Sequence, residues 1–131
     1  MPIRNYITSP YGYRNHPIKQ EVLFHDGIDI NGYESQPIYA ISKGVVSDVY
    51  FSDTYGNVLE YEFEIENSKV KVFMAHLEKS LVEVGDIVEV GKEIAIVGST
   101  GNSTGTHLHL SVYVDDVLIN PLYILQYNYI I

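Results

Sequence analysis

The chain has 131 residues, 46% of them hydrophobic, which is enough for one real core and too apolar for a disordered chain. Its 17 acidic and 8 basic residues leave a formal net charge of −9, which argues against nucleic acid or any polyanion held by general electrostatics. The absence of cysteine excludes disulfides, thiolate zinc sites and cysteine nucleophiles together, leaving histidine and carboxylate as the strong ligands for a metal such as zinc.

No apolar run approaches the roughly 20 residues that a membrane span needs, and the segment from Met1 to Tyr6 has no apolar signal core. The chain is expected either to be cytoplasmic when made or to lack its export segment. Twelve tyrosines and no tryptophan suit β-sheet packing first and a polar binding groove second.

Residues 6 to 18 are punctuated by Pro10, Gly12 and Pro17 and read as loop with short extended pieces, so His16 is expected in a loop. In Phe24-His25-Asp26-Gly27-Ile28-Asp29-Ile30 two potential ligands, His25 and Asp29, stand four apart. Gly27, Ile28, Ile30 and Gly32 disfavour the helix that would put them on one face. A straight strand would separate their Cα atoms by roughly 13 Å. The chain is therefore expected to bend here, with Gly27 as the residue that permits it. The alternative is a turn with an incidental histidine.

From Gln36 onward the pattern is strands. Ile38 to Ile41 and Val45 to Phe51 flank Lys43-Gly44, and Ser52 to Asn57 is a loop closed by Tyr55-Gly56-Asn57. Leu59, Tyr61, Phe63 and Ile65 then alternate with Glu60, Glu62, Glu64 and Glu66, a strand with one buried face. Asn67-Ser68 is expected as a two-residue hairpin turn, pairing Glu66 with Lys69, Glu64 with Lys71, Ile65 with Val70 and Phe63 with Val72. That register carries Val70, Val72, Met74 and His76 along the inward face, with His76 opposite Leu59. An inward histidine needs a partner, which a core backbone group or a functional site would each supply.

Residues 82 to 97 read as short strands broken at Gly85-Asp86 and Gly91-Lys92, and Gly98 to Thr106 as a loop of small residues that lets another backbone approach closely. In the strand that follows, His107 and His109 share a face with Cα atoms roughly 6.6 Å apart, while Leu108, Leu110, Val112 and Val114 form an apolar row behind them. Taken alone, the pair fits surface histidines as well as a functional site. Asp115-Asp116 turns the chain, Val117 to Asn120 is a short strand, and Pro121 opens a tail that suits a short helix or an extended strap. No repeat, low-complexity segment or linker divides the chain, so residues 1–131 are expected to form one domain, mostly β with little helix.

The candidates for chemistry are His25, Asp29, His76, His107 and His109. A catalytic zinc wants three protein ligands and an open position for water, which two imidazoles and one carboxylate satisfy. The two remaining histidines would serve a hydrolase as proton carriers and oxyanion donors.

These residues, in this order, resemble the lysostaphin-type zinc endopeptidases that cut peptidoglycan, a LytM-like, duplicated-hybrid-motif family. The resemblance rests on His25-x-x-x-Asp29, Ala75-His76-Leu77 and His107-Leu108-His109. Tyr11 to Pro17, Gly27 to Ile30, Tyr55-Gly56-Asn57, Val84 to Ala95, Gly98 to Gly105 and Asn120-Pro121 support it, so it covers about residues 8 to 121. It implies antiparallel β-sheets forming a narrow groove, as in barrel-sandwich hybrids. It also implies one zinc per chain held by His25, Asp29 and His109, and a catalytic pair of His76 and His107. The implied substrate is a cross-bridge or stem peptide of the bacterial wall, attacked outside the cytoplasm by a secreted or phage-associated enzyme. An acidic chain without an evident wall-binding part is further expected to belong to a larger lysin or tail protein, and to bind anionic walls better at raised salt.

Two departures stand out. Thr106 replaces the usual proline before the first histidine of His-x-His, which bears on loop rigidity. The segment Lys19 to Phe24 lacks the tyrosine that some members place ahead of the first ligand, leaving Tyr13, Arg14 and His16 as candidates for that role, beside Tyr55 and Asn57 as further substrate contacts. The run Val84 to Lys92 also resembles the hammerhead of biotinyl and lipoyl carriers, and two histidines suit a phosphocarrier barrel. Both alternatives leave Asp29 and most of the histidines without a task.

Overall fold

The computed structural model describes residues 7–16, 21–101, 103 and 105–129. In chain order its elements are β1 (Ile7–Ser9), β2 (Gly12–His16), β3 (Glu21–His25), β4 (Ile28–Asn31), β5 (Pro37–Tyr39), β6 (Gly44–Ser52) and β7 (Gly56–Ile65). They continue with β8 (Ser68–Leu77), β9 (Lys79–Ser80), β10 (Ile87–Val88), β11 (Glu93–Ile96), β12 (His107–Val114), β13 (Val117–Ile119) and α1 (Pro121–Tyr129).

One large antiparallel sheet runs in the order β1-β4-β12-β8-β7-β6-β10, with β13 added to β12. Its inward face carries the apolar halves of the alternating strands: Leu59 and Tyr61 of β7, Val70, Val72 and Met74 of β8, and Leu108, Leu110 and Val112 of β12. A small sheet in the order β5-β11-β9 closes over this face, contributing Ile38, Ile94 and Ala95. Tyr61 brings a hydroxyl into this core and accepts the Ile41 N–H at 3.1 Å, so the polar atom is satisfied. Helix α1 seats Ile124 and Leu125 against the same core. With its apolar side in the core, β12 carries His107 and His109 on its opposite face, where His109 is itself buried under neighbouring groups.

The strand pattern holds, but the hairpin slips. β7 and β8 pair Glu64 with Lys69, Phe63 with Val70 and Glu62 with Lys71, two residues away from the expected register. The turn is Glu66-Asn67, both in the left-handed region (φ 49° and 68°), the geometry of the two-residue hairpin turn that matches strand twist. A shift of two leaves every side chain on its expected face, because the strand period is two.

The placement of His76 is corrected more deeply. Leu59 faces Met74, and an extra residue bulges β8 between Met74 and Leu77. His76 sits in this bulge at φ 61°, its N–H donating to the Tyr55 carbonyl at 2.7 Å. The bulge exchanges the faces of positions 76 and 77: Leu77 enters the core and His76 turns toward His107. Two smaller expectations also change. The backbone at His16 closes strand β2 instead of lying in a loop, and the tail after Pro121 is helical.

Candidate metal and catalytic site

Two neighbouring strands build the centre of the site. β4 pairs with β12 so that Asp29 lies directly opposite His109, and Asn31 opposite His107. Between β3 and β4 the chain bends at Asp26-Gly27, and the His25 ring lies 5.2 Å from that of His109. Gly27 is required here for closeness, not for an unusual φ. A Cβ at this position would stand 2.2 Å from the Leu110 carbonyl oxygen and 2.7 Å from the Ser111 hydroxyl.

Three side chains meet at Asp29. His25 Nδ1 donates to the Pro10 carbonyl at 2.9 Å, which leaves its Nε2 aimed at Asp29 Oδ2, 3.4 Å away. His109 Nδ1 lies 2.9 Å from Asp29 Oδ1. The other nitrogen of His109, Nε2, is flanked by Asp26 Oδ1 and Ser111 Oγ, each at 3.1 Å. Burial alone would lower the His109 pKa, but hydrogen bonds to Asp26 and Asp29 and their charges outweigh it and raise it to about 9. Burial would in turn raise the pKa of Asp29, yet His109 and His25 hold that carboxylate well below its ordinary range. Asp26 is lowered by its hydrogen bond with His109. One ligand atom each of His25, Asp26 and His109 also lies within 4.8 Å of the others. Two imidazole nitrogens and a carboxylate converging in this way are the donor set that zinc takes.

The second pair lies alongside. The rings of His76 and His107 are 5.1 Å apart. Each has its Nδ1 committed to a backbone carbonyl, His76 to Thr100 at 2.7 Å and His107 to Gly105 at 2.9 Å, so each must donate from Nδ1 and keep Nε2 for something else. His107 Nε2 is 3.8 Å from Asp29 Oδ1, which joins the two groups. Burial lowers the pKa of His76 and keeps it neutral near pH 7. Thr100 also lines a cavity of about 330 Å3, together with Glu34, Glu78, Val97, Gly98, Ser99 and Thr106; neither histidine lines it.

All five expected chemistry-bearing residues therefore come together. The other candidates divide. The Tyr55 ring stacks edge-on against Phe73 at 5.2 Å and stands 6.1 Å from His109, its hydroxyl 3.4 Å from Asp26 Oδ2. Burial, then the Asp26 charge, raise its pKa, so it remains a donor. Asn57 spends its side-chain amide on the Leu77 and Glu78 carbonyls at 3.2 and 2.9 Å, tying the Tyr55 loop to the end of β8 instead of reaching into the groove. Tyr13 is exposed and packs against Phe24 on the β2–β3 hairpin. The side chains of Arg14 and His16 lie outside the described part of the structure.

Several participants were missed from the sequence. Ser111 was findable, since it is two residues beyond His109 on the same strand face. Asp26 follows His25 directly, but only the bend directs it at His109. The Pro10 and Thr100 carbonyls leave no mark in sequence, because any residue supplies one.

The glycine-rich loop behaves as expected. Gly56, at φ 67°, meets the Thr100 backbone so closely that a Cβ would stand 2.4 Å from its carbonyl carbon. This contact sets Tyr55 and the carbonyl that holds His76 side by side.

The model of Peptidase family M23 matches residues 23–121. The peptidoglycan DD-endopeptidase ShyB of Vibrio cholerae is 39% identical over 109 residues, covering 82% of this chain and 25% of that protein. Among solved structures, a zinc-containing peptidase from Vibrio cholerae superposes with a TM-score of 0.79 at 36% identity, over 88% of this chain and 35% of the other. The catalytic domain of lysostaphin from Staphylococcus simulans superposes at 0.73 with 30% identity, over 93% and 90%. The chain spans about a quarter of the length of the curated relatives it matches.

Proposed function

The chain belongs to peptidase family M23, and on that premise we propose that it is, as one domain, a zinc-dependent endopeptidase that hydrolyses peptide bonds of bacterial peptidoglycan. His25, Asp29 and His109 are assigned to a single zinc, and His76 and His107 to the reaction. The observation that carries this reading is the division of the nitrogens. The anchored Nδ1 of His25 leaves Nε2 toward Asp29, and His109 turns its Nδ1 to the same carboxylate. When bound, zinc supplies the Lewis acidity that polarises a carbonyl and makes water acidic enough to attack it near neutral pH.

The remaining steps belong to the chain. His76, neutral through burial and fixed by Thr100, presents an Nε2 able to take a proton from the attacking water. His107, fixed by Gly105 and facing His76 across 5.1 Å, can donate from Nε2 in its imidazolium form to the developing oxyanion, while His76 passes the proton it took to the leaving amine. Tyr55 stands beside them, its ring 6.3 Å from that of His76. Such a substrate places the enzyme at the cell wall, outside the cytoplasm, as a secreted or virion-borne lysin. No helix among the described residues is long and apolar enough to cross a membrane.

The test pairs metal content with cleavage. His107→Ala should keep about one zinc and lose about 100- to 10,000-fold in rate, whereas His109→Ala should lose both. Equal zinc loss in the two variants would refute the division of roles. Digesting walls of several cross-link types and sequencing the new amino termini identifies the bond, and absence of new termini from every wall would refute the substrate.

A further inference from the structure

We infer that Asp26 is a positioning residue that accepts the Nε2 proton of His109 and so commits that ring to binding the metal through Nδ1. The inference rests on the metallopeptidase reading and extends it to a residue outside the ligand and catalytic sets.

An imidazole can bind a metal through either nitrogen, and the hydrogen bond at the other decides which. For His25 the decision is made by the Pro10 carbonyl. For His109 it is made within one bend of chain. Asp29 lies opposite it on β4 and reaches Nδ1 at 2.9 Å, while Asp26, three residues earlier, reaches Nε2 at 3.1 Å. The ring is 5% exposed, so water has little access to either nitrogen. The Ser111 hydroxyl lies equally near Nε2, but a carboxylate is the stronger acceptor for an N–H. The other Asp26 oxygen faces the Tyr55 hydroxyl at 3.4 Å. A chain of contacts thus runs from the Tyr55 hydroxyl through Asp26 to the buried ring of His109. The same geometry admits one rival, in which Asp26 replaces Asp29 among the ligands.

Zinc affinity separates the two. Purified Asp26→Ala, Asp26→Asn, Ser111→Ala and Asp29→Ala proteins, checked for folding by circular dichroism, are titrated with zinc against a chromophoric chelator. Asp26→Ala should still bind one zinc, but about 10- to 100-fold more weakly. Asp26→Asn, which keeps an oxygen acceptor, should regain most of that loss, Ser111→Ala should stay within about threefold of the parent, and Asp29→Ala should lose stoichiometric binding. Imidazole nitrogen NMR of the zinc-loaded parent should show the His109 proton on Nε2. An affinity unchanged in Asp26→Ala, an Asp26→Asn no better than Asp26→Ala, or a His109 proton on Nδ1 would each overturn the inference. So would loss of zinc from Asp26→Ala while Asp29→Ala retains it, which would make Asp26 the ligand. A parent protein that binds no zinc would instead sink the metallopeptidase reading itself.

Discussion

Replacing Gly27 with alanine tests whether the bend before Asp29 is held by contact with β12. The new Cβ would sit 2.2 Å from the Leu110 carbonyl oxygen, 2.7 Å from Ser111 Oγ and 2.9 Å from the Leu110 carbonyl carbon. Two of these are backbone atoms of the strand that carries His109, so no rotamer change relieves them. The bend must lift by roughly 1 Å to restore an ordinary separation. Overpacking of this kind costs about 1–3 kcal/mol of stability. Because Gly27 lies between His25 and Asp29, the lift also moves two assigned ligands relative to the third. A misplacement of about 1 Å in reacting geometry costs on the order of 100-fold in rate. Urea unfolding of the metal-free protein reads the first effect, and zinc competition with peptidoglycan digestion reads the second. Gly105→Ala is the control: a Cβ there meets nothing within 4 Å, so the change should be neutral or stabilise by about 0.4–1 kcal/mol through the unfolded state. A Gly27→Ala protein with stability, zinc affinity and cleavage all near the parent's would refute the claim that close approach positions the ligands.

Tyr61→Phe deletes the acceptor for the buried Ile41 N–H and should cost about 1–3 kcal/mol in urea unfolding while leaving zinc binding unchanged; a neutral result would mean that the N–H finds another partner. In the metal-free protein His109 has its pKa raised from 6.5 to about 9, so its stabilising contribution is complete below pH 6.5 and is lost as pH rises through 9. Unfolding free energy should therefore fall across that window by up to about 3 kcal/mol, and a flat profile would contradict the paired carboxylates. The charge of −9 should make this chain bind intact anionic walls weakly at low salt and better once added salt shortens the Debye length. Tight sedimentation with walls at low ionic strength would count against it.

How far the site was legible follows from the kind of information each feature needs. The front face of β12 was readable because alternation alone puts His107 and His109 together and buries Leu108, Leu110 and Val112 behind them. The bend at Asp26-Gly27 was readable as a necessity, since neither a helix nor a straight strand suits His25 and Asp29, but its cause was not. Gly27 is there for the Leu110 carbonyl, a neighbour 83 residues away in the chain. The β7–β8 register was misjudged because a two-residue slip satisfies the same pairing of faces and charges: Glu62 and Glu64 meet Lys71 and Lys69 as readily as Glu64 and Glu66 would have. Only the turn decides between them, and it prefers Glu66-Asn67 at positive φ.

His76 shows why the least legible feature is also the most functional. Strict alternation from Met74 buries it, and β8 escapes that outcome only by inserting a bulge at a histidine with φ 61°. A left-handed backbone at a residue other than glycine costs of order 1 kcal/mol or more and persists where the surroundings compensate for it. Here its N–H is held by the Tyr55 carbonyl and its ring by the Thr100 carbonyl, both on loops whose contact needs Gly56 and Gly101. The glycine-rich loop, the Tyr55-Gly56-Asn57 turn and the histidine are therefore one device spread over three segments. Each looks like an ordinary loop or strand end in sequence, and their combined work is to turn one imidazole out of the core and toward His107.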